Sequence, residues 1–210
     1  MSIAQNPLTG QMRKSMANFN TYVHRGQNVV SSKAFNRKDA NTDAQQLQRA
    51  CFKLTADFYQ SMGGFIDAGF PVRPERYSPY NFFMYLNMPN AIDTSGDAPA
   101  LIYEKLQLAK GSLAAVNVMT TSLGDAGLTL GCESNQSYPY SSADDVIMVL
   151  VKAKNGALYA KRQPRGSEEN WTVTVTLPKL LAADIECVFL FATTADGKKA
   201  SNTVYVPLIG

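Results

Sequence analysis

Two adjacent carboxylate pairs, Asp144-Asp145 and Glu168-Glu169, are the residues of this chain best suited by type to acid–base chemistry. Glycoside cleavage would need two such groups facing each other across the scissile bond. Adjacent residues of a strand point to opposite faces instead. Each pair also lies beside turn-forming residues, Ser141-Ser142 and Gly166-Ser167, so both read as solvated loop ends. The basic run Lys161-Arg162-Gln163-Pro164-Arg165 reads the same way, as a solvated hairpin tip.

The rest of the inventory removes most enzyme classes. His24 is the only histidine, and it falls in a predicted hairpin, which excludes Ser-His-Asp and Cys-His catalysis in the body and any multi-histidine metal site. Cys51, Cys132 and Cys187 show no CxxC spacing, so neither a zinc nor an iron–sulfur site is expected. No GxxxxGK[ST] loop, strand-following GxGxxG or HExxH occurs. The reading is a protein without catalytic residues, cofactor or metal.

Charge is distributed unevenly. Residues 1–38 hold six Lys or Arg and no Asp or Glu, whereas residues 39–210 hold 14 basic against 17 acidic residues. A one-sign arm on a mildly acidic body suits docking on an acidic neighbouring subunit. Phosphate contact with nucleic acid is the less favoured alternative, because the arm lacks an aromatic-stacking pattern. No run approaches the ~18 apolar residues of a membrane span, and the opening MSIAQNPLTGQMRK lacks the apolar core of a secretory signal.

The elements that must carry these features follow from periodicity. Residues 16–24 and 28–35 are extended runs around Arg25-Gly26-Gln27, a predicted β-hairpin that must lie against something to be stable. Thr42 and Gln45 form a T-x-x-Q capping box, after which Leu47, Cys51, Leu54 and Phe58 make one helical stripe ended by Gly63-Gly64. Ser78-Pro79 starts a second helix, rich in Phe and Tyr, that stops near Pro89 and is expected to be buried on several sides. Thr94-Ser95-Gly96-Asp97-Ala98-Pro99 reads as a linker.

Beyond the linker the period becomes two. Strands are predicted near 101–109, 113–119, 127–133, 145–153, 157–162, 171–177, 185–193 and 202–207, with turns at Asn155-Gly156, Arg165-Gly166 and Asp196-Gly197. Seven or eight short strands at this spacing suggest an immunoglobulin- or fibronectin-like β-sandwich. The expected fold is thus α+β: a basic hairpin arm over 1–38, a helical region over 39–93 and a sandwich over 100–210. Cys132 shares parity with Leu128 and Leu130, and Cys187 with Ile185, Phe189 and Phe191, so both are expected to point into the sandwich core. Two reduced core thiols are the expectation, with a disulfide between them as the alternative.

Several of these residues also carry a resemblance. Thr42, Gln45, Gln48, Arg49 and Phe52 match a T-x-x-Q-x-x-Q-R-x-x-F helix, Asn81-Phe82-Phe83 matches a later N-x-F segment, and Ala195-Asp196-Gly197-Lys198 with Ser201-Asn202-Thr203-Val204-Tyr205 matches a closing motif. With the hairpin before them, these resemble a family of uncharacterised proteins from Bacteroidota and their phages. The resemblance implies a structural role, such as a tail or neck ring component of a crAss-like phage virion, and supplies no catalytic residues. On that reading the protein is a homo-oligomer that also meets neighbouring virion proteins. The expected assembly contacts are Arg13, Lys14, Phe19, Tyr22, Arg25, Lys33, Phe35, Arg37 and Lys38 of the arm. The alternative is a monomeric bacterial module whose sandwich loops or aromatic helix hold a peptide or glycan.

Overall fold

The computed structural model describes residues 2–3, 14–16, 18–24, 26–33, 40–124, 127–133, 140–166, 170–178 and 184–207. The chain divides into two compact units, Met1–Thr42 and Asp43–Gly210. It is α+β, with antiparallel strands in four sheets.

The first unit is a small sheet. Strands β1 (Ser2–Ile3), β2 (Lys14–Met16), β3 (Phe19–His24) and β4 (Gln27–Ser32) lie in the order β1-β4-β3-β2, all antiparallel. The expected hairpin is its centre: His24 pairs with Gln27, and Gly26 turns the chain at φ 78, a conformation that costs glycine little. At the other end Lys33 N–H donates to the Asn18 carbonyl at 2.7 Å.

The second unit begins with helix α1 (Asp43–Ser61), directly after Thr42, and Gly63 follows the helix with φ 59. Its buried positions are Cys51, Thr55 and Phe58, so the stripe lies one residue round from the expected one. Leu47 is 42% exposed, and Leu54 is half-buried. Thr55 is tolerated inside because its hydroxyl donates to the Cys51 carbonyl at 2.9 Å. The short helix α2 (Phe65–Gly69) had no sequence signal, since five residues are too few to show a period. Helix α3 (Pro79–Asn87) starts as expected, with Pro79 first and the Ser78 hydroxyl accepting from Asn81 N–H at 3.1 Å.

The expected linker at 94–99 instead closes a ribbon, β5 (Ile92–Asp93) paired with β6 (Ala100–Leu101). The strand expected at 101–109 is reduced to β6, a 3-10 turn at Tyr103–Lys105 and an extended stretch. That stretch alternates like a strand but is held by side chains. Buried Asn87 accepts from Gln107 N–H at 2.7 Å and donates to the Gln107 and Phe83 carbonyls, both at 2.9 Å. The Thr203 hydroxyl accepts from Leu108 and Ala109 N–H, each at 2.7 Å.

Two larger sheets follow. β9 (Val146–Ala153), β10 (Leu158–Pro164), β12 (Ile185–Thr193) and β13 (Val204–Tyr205) form one, in the order β10-β9-β12-β13. β7 (Asn117–Gly124), β8 (Gly127–Glu133) and β11 (Asn170–Val175) form the other, in the order β11-β8-β7. Leu128, Leu130, Val149, Val151, Val173, Val188 and Leu190 fill the core between the sheets. The helices cover the opposite face of the four-stranded sheet, packing Phe58, Met62, Phe83 and Leu86 onto Met148, Leu150, Phe189 and Phe191. Phe58 stacks on Phe83 at 6.4 Å and meets Phe189 edge-on at 6.2 Å. Both cores are built from residues 58–206, all within the second unit.

This helical layer corrects the placement of the cysteines. Cys132 lies between the sheets. Cys187 lies on the helix-covered face with Phe189 and Phe191, while Ile185 is separated from it by a bulge and faces the other way. All three cysteines are free and buried. Period-two alternation could not assign a face, because both faces of β12 are apolar.

Candidate functional site

Of the two carboxylate pairs, both expected to be solvated loop ends, only Asp144-Asp145 is described. Glu168 and Glu169 lie outside the described residues. Asp144 is exposed, as expected, but Asp145 is 2% exposed and accepts from Ser142 N–H at 2.9 Å. The basic run is solvated at Lys161 and Arg162, as expected, but it is not a hairpin tip. Its first four residues belong to β10, Arg162 covers the Phe65 ring at 5.3 Å, and Arg165 is 2% exposed. Arg165 N–H donates to the Asp145 carbonyl at 2.7 Å, continuing the β9–β10 ladder, and its Nη2 donates to the Ala114 carbonyl at 2.6 Å. Burial lowers the Arg165 pKa, and the nearby Asp145 charge opposes that shift. The pair is a buried strut tying the β9–β10 hairpin to the segment before β7. Charge runs read in one dimension gave no sign of it.

One polar cluster ties the 3-10 turn after β6 to the sheet, and a second ties α1 to α2. Tyr103 and Lys152 both donate to the Glu186 carboxylate, and Lys152 also sits over the Phe58 ring at 5.8 Å. Tyr59 donates to Asp67. Burial first, and then the carboxylate each one faces, raises the pKa of both phenols, so they stay protonated donors. Such groups fix packing rather than transfer protons. Among the described residues no three His, Cys, Asp or Glu side chains are grouped so as to hold a metal ion.

The expected assembly residues are only partly visible. Arg13, Arg25, Phe35, Arg37 and Lys38 lie outside the described residues. Lys14 is in strand β2, and Lys33 follows β4, half-buried. Phe19 is 52% and Tyr22 41% exposed, and strand alternation puts them on opposite faces of β3. The sheet thus shows one exposed aromatic ring on each face.

Two surfaces of the body escaped the sequence reading. An open groove of about 860 Å³ between α1 and α3 is lined by Leu47, Cys51, Phe52, Met84, Tyr85 and Met88 among others. Phe52 of α1 is 48% and Tyr85 of α3 58% exposed there, while Phe82, Phe83, Met84, Leu86 and Asn87 are buried, so the aromatic helix is buried on several sides, as expected, and opens to the groove at Tyr85. A second groove, of about 460 Å³, runs between residues 116–121 and 204–207, along the edge of β7. The run NVMTTSLG of β7, with no charge and no proline, was the available signal. No helix among the described residues is long and apolar enough to cross a membrane.

A family model described as a family of unknown function, DUF6266, matches residues 11–207. No curated protein and no solved structure matches the chain.

Proposed function

We propose that this chain, which belongs to the DUF6266 family of unknown function, is a structural, self-assembling subunit whose N-terminal sheet docks on the body of a neighbouring copy. The observation that carries the reading is the N-terminal unit itself. It is a separate compact unit with exposed Phe19 and Tyr22, and its chain to Lys38 has basic but no acidic residues beside a net-acidic body. Repetition of one modest contact around a closed ring gives a stable assembly. The finer reading is a tail or neck ring component of a phage virion, supported by the motif resemblance over Thr42–Phe52 and 195–205. An immunoglobulin-like spacer role for the two-sheet part belongs to the same reading.

The α1–α3 groove favours a second reading, a monomeric module that holds an apolar peptide. Absolute mass by light scattering separates the two. The full chain and a chain lacking residues 1–42 are measured over a range of concentrations. Assembly predicts an oligomer that becomes a monomer on deletion. A monomer in both cases overturns it in favour of the peptide module. Steep loss of binding to a DNA or RNA oligonucleotide with added salt would instead assign the arm to nucleic acid.

A further inference from the structure

The edge of β7 is left open by the way two strands part. Leu113 and Ser201 form a parallel bridge, and Leu113 N–H donates to the Ala200 carbonyl at 3.1 Å. The junction is tight: a Cβ on Gly111 would come within 2.0 Å of the Ala200 oxygen. Past it the two segments enter different sheets, one as the eight-residue β7 and the other as the two-residue β13. β13 is too short to face all of β7. On β8 the core-facing Leu128, Leu130 and Cys132 are buried. Their cross-strand partners on β7 are Leu123, Thr121 and Val118, of which Leu123 is 36% exposed and the other two half-buried. The uncovered space is the groove of about 460 Å³.

The main chain at this edge is also open. Among the described residues β7 pairs only with β8. Its sequence NVMTTSLG contains none of the charges or prolines that normally stop edge strands from pairing. The edge strand β10 of the other sheet shows the contrast, with exposed Lys161 and Arg162 and a terminal Pro164. An open strand edge beside an apolar slot is the acceptor for strand addition, in which main-chain hydrogen bonds bind and alternate side chains fill the slot.

We propose that the slot between β7 and β13 accepts a strand, and that this strand is the edge of the N-terminal sheet of a second copy. The inference rests on the assembly reading above and names its acceptor. The donor has the required form. Its strand β2 stands at the edge of the N-terminal sheet and, among the described residues, pairs only with β3. Its charge also suits the slot. The arm to Lys38 is basic without acid, and Glu133, bonded to Asn117 Nδ2 at 2.8 Å, places a carboxylate at one end of β7.

The test places charges on the open edge of the full-length chain. Met119 is 64% exposed and Ser122 is exposed, so Met119→Lys/Ser122→Lys and Met119→Glu/Ser122→Glu leave the core intact. Both variants should weaken assembly at least tenfold by light scattering, because a charge of either sign blocks edge pairing. Lys161→Ser on β10 should leave assembly unchanged. Undiminished assembly of both edge variants overturns the slot while leaving the assembly reading standing. So does stronger assembly of the Glu variant, which would mean a purely electrostatic contact. A full chain that is monomeric with and without residues 1–42 overturns both. If circular dichroism shows a double variant unfolded, Ser122→Lys alone decides by the same readout.

Discussion

Strands β12 and β7 belong to the same body and differ in almost every environment a strand can have. β12 is paired on both edges and covered on both faces, by helices on one side and by the second sheet on the other. β7 is paired on one edge, and its core-facing residues are only partly covered. β12 therefore carries stability, because each fully buried Phe, Leu or Val removes apolar area worth about 1.5–3 kcal/mol from water. β7 contributes less of that, and among the described residues one of its edges pairs with no strand, the edge proposed above to accept another chain. On the proposed assembly, what holds the fold and what meets a partner lie on separate strands.

The largest effect should come from breaking β12. Phe189→Ala removes a fully buried ring that meets Phe58 at 6.2 Å and Tyr205 at 5.7 Å and should cost about 3–5 kcal/mol in denaturant unfolding. Folded variant should still assemble like the unaltered chain. A loss of assembly without a loss of stability would break the division of labour between the strands.

Next in size is the buried strut at the end of β10. Arg165→Ala empties a buried site and leaves the Ala114 carbonyl without its donor, while also removing the Nε and Nη1 that have no partner there. It should cost about 1–3 kcal/mol, again read from denaturant unfolding. A near-zero cost would mean that the Ala114 carbonyl finds another donor once the arginine is gone.

Alkaline titration should give a smaller effect. Burial pushes the Cys132 and Cys187 thiols up to about 12 from an ordinary value of 9.0. Below pH 9 both are neutral in folded and unfolded chains and contribute nothing. Between about pH 9 and 12 only the unfolded chain ionises, so stability falls as pH rises. Cys132→Ala/Cys187→Ala should be less stable at neutral pH but show a flatter alkaline limb. For the same reason native Cys187 on β12 should resist a maleimide at pH 8, while Ser122→Cys on β7 reacts at once.

The smallest effect is at the exposed tip after β12. The Thr194 hydroxyl and Lys198 N–H donate to Asp196, lowering its carboxyl to about 2. Its contribution is present above about pH 4 and is lost as pH falls toward 2. Asp196→Asn should remove that part of the acid response and leave assembly untouched.

How far the sequence could be read follows the same contrast. Local signals were legible: Ser78-Pro79 capping α3, Gly26 turning the first hairpin, and the chain reversals at Asn155-Gly156 and Asp196-Gly197 each depend on residues within a few positions. The apolar run of β12 told that it was a strand but not which face met which layer, since a helical cover and a second sheet demand the same residues. The stretch 102–109 alternated like a strand, yet its hydrogen bonds go to Asn87 and Thr203, 20 and 95 residues away for the longest-reaching bonds. The buried Asp145 and Arg165 looked like surface charge because burial is decided by what folds over them. The open slot was legible only in part: NVMTTSLG carries no charge or proline to guard an edge, but how little of β7 the two-residue β13 faces depends on where a segment about 80 residues away lands.

Mixed-chain crosslinking tests the central claim most directly. One chain carries Tyr22→Cys on the N-terminal sheet and the other carries Ser122→Cys on β7, while native Cys51, Cys132 and Cys187 are buried. The two are mixed and treated with a long, flexible bis-maleimide. The account predicts a crosslinked dimer containing one chain of each kind, and none when the second cysteine is moved to Lys161→Cys on β10. Equal crosslinking to β10, or none to either strand from an assembled sample, would contradict it.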